Sequence, residues 1–504
     1  MYDRLYIGLD SGTQGTKGVV ISEHAKGIVA ESYHGYGLIE NDRGGREQHP
    51  DTWTTACARV LEDLLAAPAV SAAEVRAIGV SGQQHGMVAL DSAGTVIRPA
   101  KLWCDTETAD QCRRITERAG GEQAVVAHIG NQVAAGFTAS KILWLKENEP
   151  DSYERLATVL LPHDYLNYWL TGNRVCEFGD ASGTAYFDVV NRTWSMPLLD
   201  AIDASGTLKS CLPPFVAADE PAGRIRAAIG ERFGLSPEVI VSSGGGDNMM
   251  AAIGTGNVSE GVVTASLGTS GTIYAFADRP VVDASGELAA FCSSTGGWLP
   301  LVCTMNVTVA TELIRSLFDI GIDRLNELAG SVPAGAGGLL LLPYFNGERT
   351  PPLPSATAHL SGMTGRNLKP ANICRAAMEG ATFGLRYGLD VLKRNGIQPR
   401  EIRLTGGGSK SALWRRLVAD IFACPVVCLK EEEAGAVGAA LQAMWCVATQ
   451  EGGGVALPEL TSSFVQLDET SRCFPEPSAS AHYEELYRNY LTLNDALAPL
   501  NGAG

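Results

Sequence analysis

The segment DSGTQGT, Asp10 to Thr16, returns as SLGTSGT, Ser266 to Thr272, 256 positions further on. Gly12, Thr13, Gly15 and Thr16 have counterparts in Gly268, Thr269, Gly271 and Thr272. Each copy lies between two β-rich runs: YIGLD and KGVVIS around the first, VVTAS and TIYAF around the second. A strand that turns back through glycines and hydroxyls leaves backbone N–H groups uncovered, and such a concavity suits a phosphate chain. Two unrelated turns are the alternative. The same pattern twice, half a chain apart, points instead to a duplicated fold that grips one nucleotide from two sides.

Strand and helix signals alternate throughout, which predicts an α/β fold. A helix follows Asp51, read as its N-cap, with Trp53, Ala56, Cys57, Val60, Leu61, Leu64 and Leu65 on one face. Three strands then run into polar, glycine-containing loops. Val75 to Val80 leads into SGQQHG (Ser81 to Gly86), Val239 to Val241 into SSGGGDN, and Glu401 to Leu404 into TGGGSKS (Thr405 to Ser411). After the last, Trp414, Leu417, Val418 and Ile421 mark one face of a helix. A strand, a glycine-rich loop and a helix deliver polar groups to a cleft at the carboxyl ends of the strands. A new half opens between Gly246 and Gly261, which divides the chain into residues 1–250 and 255–480, with a closing helix and tail over 481–504. The stretch NGERTPPLPSATAHLSG (Asn346 to Gly362) reads as an ordered surface loop, and Thr461 to Pro477 as irregular.

Composition narrows the partners. With 39 basic against 56 acidic residues the net charge is −17, which argues against nucleic acid or an anionic membrane. An acidic chain that binds a nucleotide must rely on glycine backbone, helix N-termini and a metal ion for local attraction. The twelve cysteines are scattered; Cys424 and Cys428, the closest pair, have no histidine pair beside them, so zinc has little support. They read as small buried hydrophobes of a reducing cytoplasm. The first strand starts almost at the first residue, no uncharged run reaches membrane-span length, and a cytoplasmic location is expected.

Asp247 follows three glycines and opens a helix, where the helix N-terminus favours its carboxylate by about 0.3–1 kcal/mol. An ionised Asp247 can accept a proton from a substrate hydroxyl; an ordinary N-cap aspartate is the alternative. Asp10 ends a buried strand before the first hairpin, where a carboxylate can hold Mg²⁺ opposite bound phosphates or simply form a turn. Lys17 faces either the phosphates or solvent. Gln83, Gln84 and His85 end a strand in a loop, a place for groups that bind sugar hydroxyls, although a lone histidine is more often structural. Trp103, Asp105, Thr106, Glu107 and Thr108 read as a polar cluster lining the cleft. Spacing excludes a P-loop, a dinucleotide fingerprint, the H-E-x-x-H motif and a G-x-S-x-G elbow.

Taken together, the motifs resemble the FGGY family of carbohydrate kinases and, within it, the xylulokinases, from about Tyr6 to about Trp445. GFTASKILWLKEN (Gly136 to Asn148) and AHLSGMTGRNLKPANICRAAMEG (Ala358 to Gly380) look like the family's two signatures. SGQQHG, LLPHDYLNYWLTG (Leu160 to Gly172), DASGTAYFDV (Asp180 to Val189), GGGDN, SLGTSG and NGERTP look xylulokinase-like. The resemblance implies a two-domain actin-like ATPase fold of duplicated RNase H-like topology. It also implies ATP-dependent phosphorylation of D-xylulose to D-xylulose 5-phosphate, and a homodimer is compatible with it. On this resemblance Asp247 is the catalytic base and Asp10 the catalytic, metal-associated aspartate. Gln84, His85, Asp247 and Asn248 contact the sugar, and Thr13, Thr269, Gly407, Gly408 and Ser411 contact ATP. The chain departs where many bacterial relatives have Met-His-Gly for Gln84-His85-Gly86 and Trp-Asn-Asp-Gly for Trp103-Cys104-Asp105-Thr106. Both departures touch the sugar side, and Ser411 also differs from many relatives. Ribulose, xylitol, gluconate or glycerol therefore stay open as substrates, as does, at greater distance, an actin- or Hsp70-like ATPase switch that needs no sugar loop.

Overall fold

The computed structural model describes residues 3–500, so the first two residues of the segment 1–250 and the last four of 481–504 lie outside it. Leu5–Ser11 (β1) is buried at every position except Asp10, which is partly open. Such a run suits a central strand covered on both faces. It pairs antiparallel with Gly15–Ser22 (β2), which pairs antiparallel with Gly27–Gly35 (β3). On its other side β1 runs parallel to Val75–Gly82 (β4). Pro221–Arg224 (β5) and Ile240–Ser242 (β6) complete the order β5-β6-β4-β1-β2-β3, and the two-residue strand Gly245–Gly246 (β7) extends the parallel pairing on β4.

The second sheet repeats this plan. Val262–Leu267 (β8), Gly271–Ala275 (β9) and Leu301–Thr304 (β10) form an antiparallel meander. Glu401–Thr405 (β11) and Val426–Leu429 (β12) follow in parallel, and Leu467–Cys473 (β13) closes the edge antiparallel. The order β10-β9-β8-β11-β12-β13 thus matches the first sheet strand for strand. The hairpins are not identical: Ser11 pairs with Thr16, whereas Leu267 pairs with Gly271, one residue tighter.

Three local expectations need correction. The helix Pro50–Ala66 (α1) is capped by His49, whose side chain accepts from the Asp51 N–H, because Pro50 occupies the first turn and lacks an N–H of its own. Asp51 is therefore inside the helix. The stretch 461–477, expected to be irregular, contains the end of the helix Leu457–Phe464 and all of β13. That strand is polar and lies on an edge, so it carries no apolar alternation to announce it. The loop 346–362 is not wholly superficial, since Glu348 and Thr350 are buried.

The two halves meet through helices Asp247–Gly254 (α2) and Ala434–Gln450 (α3), which pack on each other, with α3 also lying on β1 and β4. The contact is backbone to backbone. A Cβ on Gly8 of β1 would stand 1.8 Å from Ala436 O, and one on Gly438 of α3 would stand 1.8 Å from Met250 O. Any side chain at either place would force the elements apart. An apolar cluster with Tyr6, Met249, Met250, Ile253, Phe291, Leu301, Ala436 and Leu441 fills the space between the sheets.

Candidate active site

The carboxyl ends of three parallel strands of the first sheet arrive at one level. Asp10 on β1 stands beside Ser81 on β4, and Ser81 beside Gly245 on β7, each pair one strand spacing of about 4.8 Å apart. Two residues beyond Gly245, Asp247 opens α2 with Gly246 as its N-cap. Asp247 Oδ1 accepts the Asn248 backbone N–H at 2.7 Å and the Asn248 amide Nδ2 at 2.9 Å. The same Nδ2 donates to Gln84 Oε1 at 2.8 Å, and Gln84 Nε2 reaches Met249 Sδ at 3.2 Å. Asp247, Asn248 and Gln84, drawn from two loops, thus form one hydrogen-bonded run.

The electrostatics differ from the expectation of an aspartate kept charged by its helix end. Burial first and the nearby Asp10 carboxylate second push the Asp247 carboxyl up to about 7, against the hydrogen bonds from Asn248 that pull it down. The Asp10 carboxyl is raised as well, by burial first and by Glu433, against a 2.6 Å hydrogen bond from Ser81 Oγ and the charge of Lys17. A macrodipole acts with about half an elementary charge, which is too weak against this desolvation. Two neighbouring carboxyls whose charged forms are disfavoured make a place for a cation. Among the described residues no group of three or more ligating side chains gathers anywhere, so they offer no all-protein metal cage.

His85 has a left-handed backbone, with φ of 63°, uncommon for a residue with a side chain. It is held there: its N–H donates to Asp180 Oδ1 at 3.2 Å and its carbonyl accepts from Thr138 Oγ1 at 3.0 Å. The ring packs edge-on to Phe137 and stacked on Phe291, and burial lowers its affinity for a proton despite Asp180 nearby. A neutral, 8 % exposed His85 offers a ligand little more than a ring edge.

Thr13, in the first hairpin, donates to Gln83 Oε1 at 3.2 Å and accepts from the exposed Trp103 Nε1 at 3.0 Å. The first hairpin and the loop after β4 are therefore tied together. In the second half, the carbonyls of Gly268 and Thr269 accept from the N–H groups of Thr308 and Val307. Ser266 stands beside Thr405 across β8 and β11, so the loop with Gly407 and Gly408 leaves the sheet next to this hairpin. Ser411 caps the helix Ala412–Phe422 (α4) through Trp414 N–H and donates to Asn326 Oδ1 at 2.6 Å, which commits its hydroxyl to the fold.

The charged part of the cluster around residue 105 is not a cleft lining. Asp105 and Glu107 surround the buried Lys101 Nζ, at 3.1 and 2.8 Å, with Glu47 at 3.2 Å, while Trp103 and Thr106 are exposed. A lysine so enclosed requires several carboxylates. Lys17 is paired with Glu433 at 2.7 Å. Two buried groups escaped residue-level reading. Asp180 receives His163 Nδ1 at 3.1 Å and the His85 N–H; burial raises its carboxyl, but the hydrogen bonds of the His163 and His85 rings and the His163 charge outweigh it and hold it at about 2. Gln442 of α3 accepts from Ser242 Oγ and the Gly244 N–H, both at 2.9 Å, and its Nε2 lies 3.0 Å from Gly244 O and 3.3 Å from Ser294 O. Asp180 lies inside one of the resembling segments; for Gln442 the only signal was a lone amide in an apolar helix.

Residues 5–254 match the N-terminal domain, and residues 263–447 the C-terminal domain, of the FGGY family of carbohydrate kinases. The chain is 46% identical to a xylulose kinase of Haemophilus influenzae over 97% of this chain and 99% of that one. It superposes on a ligand-bound xylulose kinase from Lactobacillus acidophilus with a TM-score of 0.91 at 26% identity, over 99% of each chain. A gluconate kinase from the same organism gives the same score, identity and coverage.

Proposed function

The chain belongs to the FGGY family of carbohydrate kinases, and from that membership we infer that it converts D-xylulose and ATP into D-xylulose 5-phosphate and ADP. The observation that carries the sugar is the 46% identity, across nearly the full length of both chains, to the Haemophilus influenzae xylulose kinase. The hydrogen-bonded run Asp247–Asn248–Gln84 supports the chemistry.

The terminal sugar hydroxyl lies against Asp247. Its oxygen forms a bond to the γ-phosphorus as the bond from that phosphorus to the β–γ bridging oxygen breaks, and the electron pair of the broken bond leaves on ADP. The hydroxyl proton passes to the Asp247 carboxylate, whose raised affinity near neutrality suits a base that must take and then release a proton. Asn248 fixes the carboxylate through Oδ1, and Gln84 fixes Asn248. The hairpins with Thr13 and Thr269, with the loop of Gly407 and Gly408, hold the phosphate chain by backbone N–H groups. Mg²⁺ bound by Asp10 and the phosphates supplies neutralising charge. Most of the acceleration in this scheme comes from positioning and charge stabilisation. Closure of residues 255–480 on residues 1–250 keeps water from taking the phosphoryl group.

The test is ADP release with Mg·ATP against D-xylulose, L-xylulose, D- and L-ribulose, xylitol, gluconate and glycerol, with the product's phosphate position read by ³¹P NMR. A dominant response to D-xylulose, phosphorylated at the terminal hydroxyl, is expected. The structural match to a gluconate kinase favours gluconate as the second reading; a dominant gluconate response would replace the substrate and keep the site. ATP hydrolysis indifferent to every polyol would overturn the kinase reading.

A further inference from the structure

The mechanism above leaves unused a cation in the second half of the chain, Arg349 of the NGERTP segment. Its backbone is fastened to the second phosphate hairpin by a short series of bonds. The carbonyls of Gly268 and Thr269 in that hairpin accept from the N–H groups of Thr308 and Val307. Just before these residues, the Met305 N–H donates at 2.6 Å to Glu348 Oε1 and the Asn306 amide donates at 2.7 Å to Gly347 O and 3.1 Å to Glu348 Oε2. The Arg349 N–H donates to the same Glu348 Oε1 at 2.8 Å, and the Asn346 N–H to Asn306 Oδ1 at 3.2 Å. Glu348 is 3 % exposed, so a buried carboxylate is spent on holding this turn. Carboxylates are seldom buried without such a task.

The side chain that the turn presents is exposed, and among the described residues no ion pair engages it. That sets it apart from the other cations beside the glycine loops, because Lys17 is paired with Glu433 and Lys410 with Glu432. The turn that carries it is also placed beside the second hairpin. Cys303, two residues before the Met305 that bonds Glu348, stands opposite Thr272, the last residue of the second hairpin motif. The Cys303 thiol also senses the Asp247 carboxylate, and the His85 ring senses the Arg349 charge. The tether therefore sets Arg349 on the second half, in the turn fastened beside the second hairpin.

We propose that Arg349 is a further catalytic residue: its guanidinium contacts the phosphoryl group during transfer and stabilises the negative charge that builds on its oxygens. The proposal rests on the kinase reading above. In the balanced step already written, charge accumulates on the γ-phosphoryl oxygens and on the departing β-oxygen, and a planar cation with several N–H donors suits those oxygens better than an ammonium. The cation comes from the half opposite to Asp247, so it engages only when the halves are together on both substrates.

The test compares wild type with Arg349→Met and Arg349→Lys, in sugar-dependent ADP release and in calorimetric binding of ADP and of ADP with aluminium fluoride plus sugar. Arg349→Met is expected to lose at least about 100-fold in kcat, within the range of preorganised charge stabilisation. It should keep its sugar KM and its affinity for ADP alone within about 3-fold, and bind the aluminium fluoride complex at least about 30-fold more weakly. Arg349→Lys should fall between the two. A Met variant with near-wild-type kcat, one changed only in sugar KM, or one that weakens ADP and the aluminium fluoride complex equally would each overturn the assignment. A wild type with no sugar-dependent turnover would instead overturn the kinase reading, and this assignment with it.

Discussion

Replacing Asp247 with Asn isolates what its charge does. Asn keeps the size of the side chain and an Oδ1 that accepts both Asn248 N–H groups, now at 2.7 and 2.9 Å. It removes the proton acceptor, so turnover should fall at least about 100-fold. It should also stabilise the protein. The carboxyl rises from 3.8 to about 7, a change of about 3 pK units, worth about 4 kcal/mol at 1.36 kcal/mol per unit for a wholly dehydrated group. Asp247 keeps part of its surface open, and water there screens the penalty to about 1–2 kcal/mol. The sign follows from proton binding. Between about pH 4 and pH 7 the native state holds this proton more tightly than the unfolded chain, so the group erodes stability as pH rises through that window. The penalty is complete above about pH 7, and Asn lacks it. Thermal unfolding without ligands should show Asp247→Asn melting roughly 1–2 °C above wild type at pH 8, with the advantage gone near pH 4. A variant less stable than wild type at pH 8 would refute the burial argument, and one keeping more than about a tenth of wild-type turnover would refute the base.

Asp10→Asn removes the largest charge that raises Asp247, so the acidic limb of its residual kcat/KM profile should move to lower pH; a limb that stays or rises contradicts the coupling. Gly438→Ala puts a Cβ 1.8 Å from Met250 O, a clash no rotamer relieves, and should cost at least about 1–3 kcal/mol, read as a lower melting temperature and lower turnover. Gly27→Ala, with nothing within 4 Å of its Cβ, is the control and should leave both nearly unchanged.

The fold was legible because its signals are local and repeated. The hairpins at Gly12 and Gly268, and the strand–loop–helix units at residues 244 and 405, each announce themselves within a dozen residues, and the two six-stranded orders follow them; the loop at residue 81 leads instead into a short strand, Val88–Leu90. What was not legible depends on pairs remote in the chain. The coupling of Asp10 to Asp247 arises because β1, β4 and β7 end abreast, and, added to burial, it raises a carboxyl that a helix N-terminus alone would lower. The same holds for Lys101 with Asp105 and Glu107. Read along the chain these are polar residues after a strand; in space they are one buried ion cluster, since Glu47 arrives from elsewhere. Gln442 meets Gly244 across 198 positions, a separation no periodicity encodes.

The duplication itself shows where function departs from scaffold. Asp10 of the first copy corresponds to Ser266 of the second, and the second hairpin closes one residue tighter. Two glycine hairpins can hold a phosphate chain symmetrically, but phosphoryl transfer is directional: a hydroxyl enters on one side and ADP leaves on the other. The asymmetry is carried by charge. Asp10 and Asp247 both belong to the first half, while Arg349, a cation without a carboxylate partner among the described residues, belongs to the second. With the carboxylates on one wall, the base meets the incoming hydroxyl on the sugar side. With the cation on the other, charge leaving toward ADP is met only when the walls approach. A repeat that stayed symmetric would place like charges on both walls, and it would then have to overcome their repulsion each time the cleft closed on a polyanionic nucleotide.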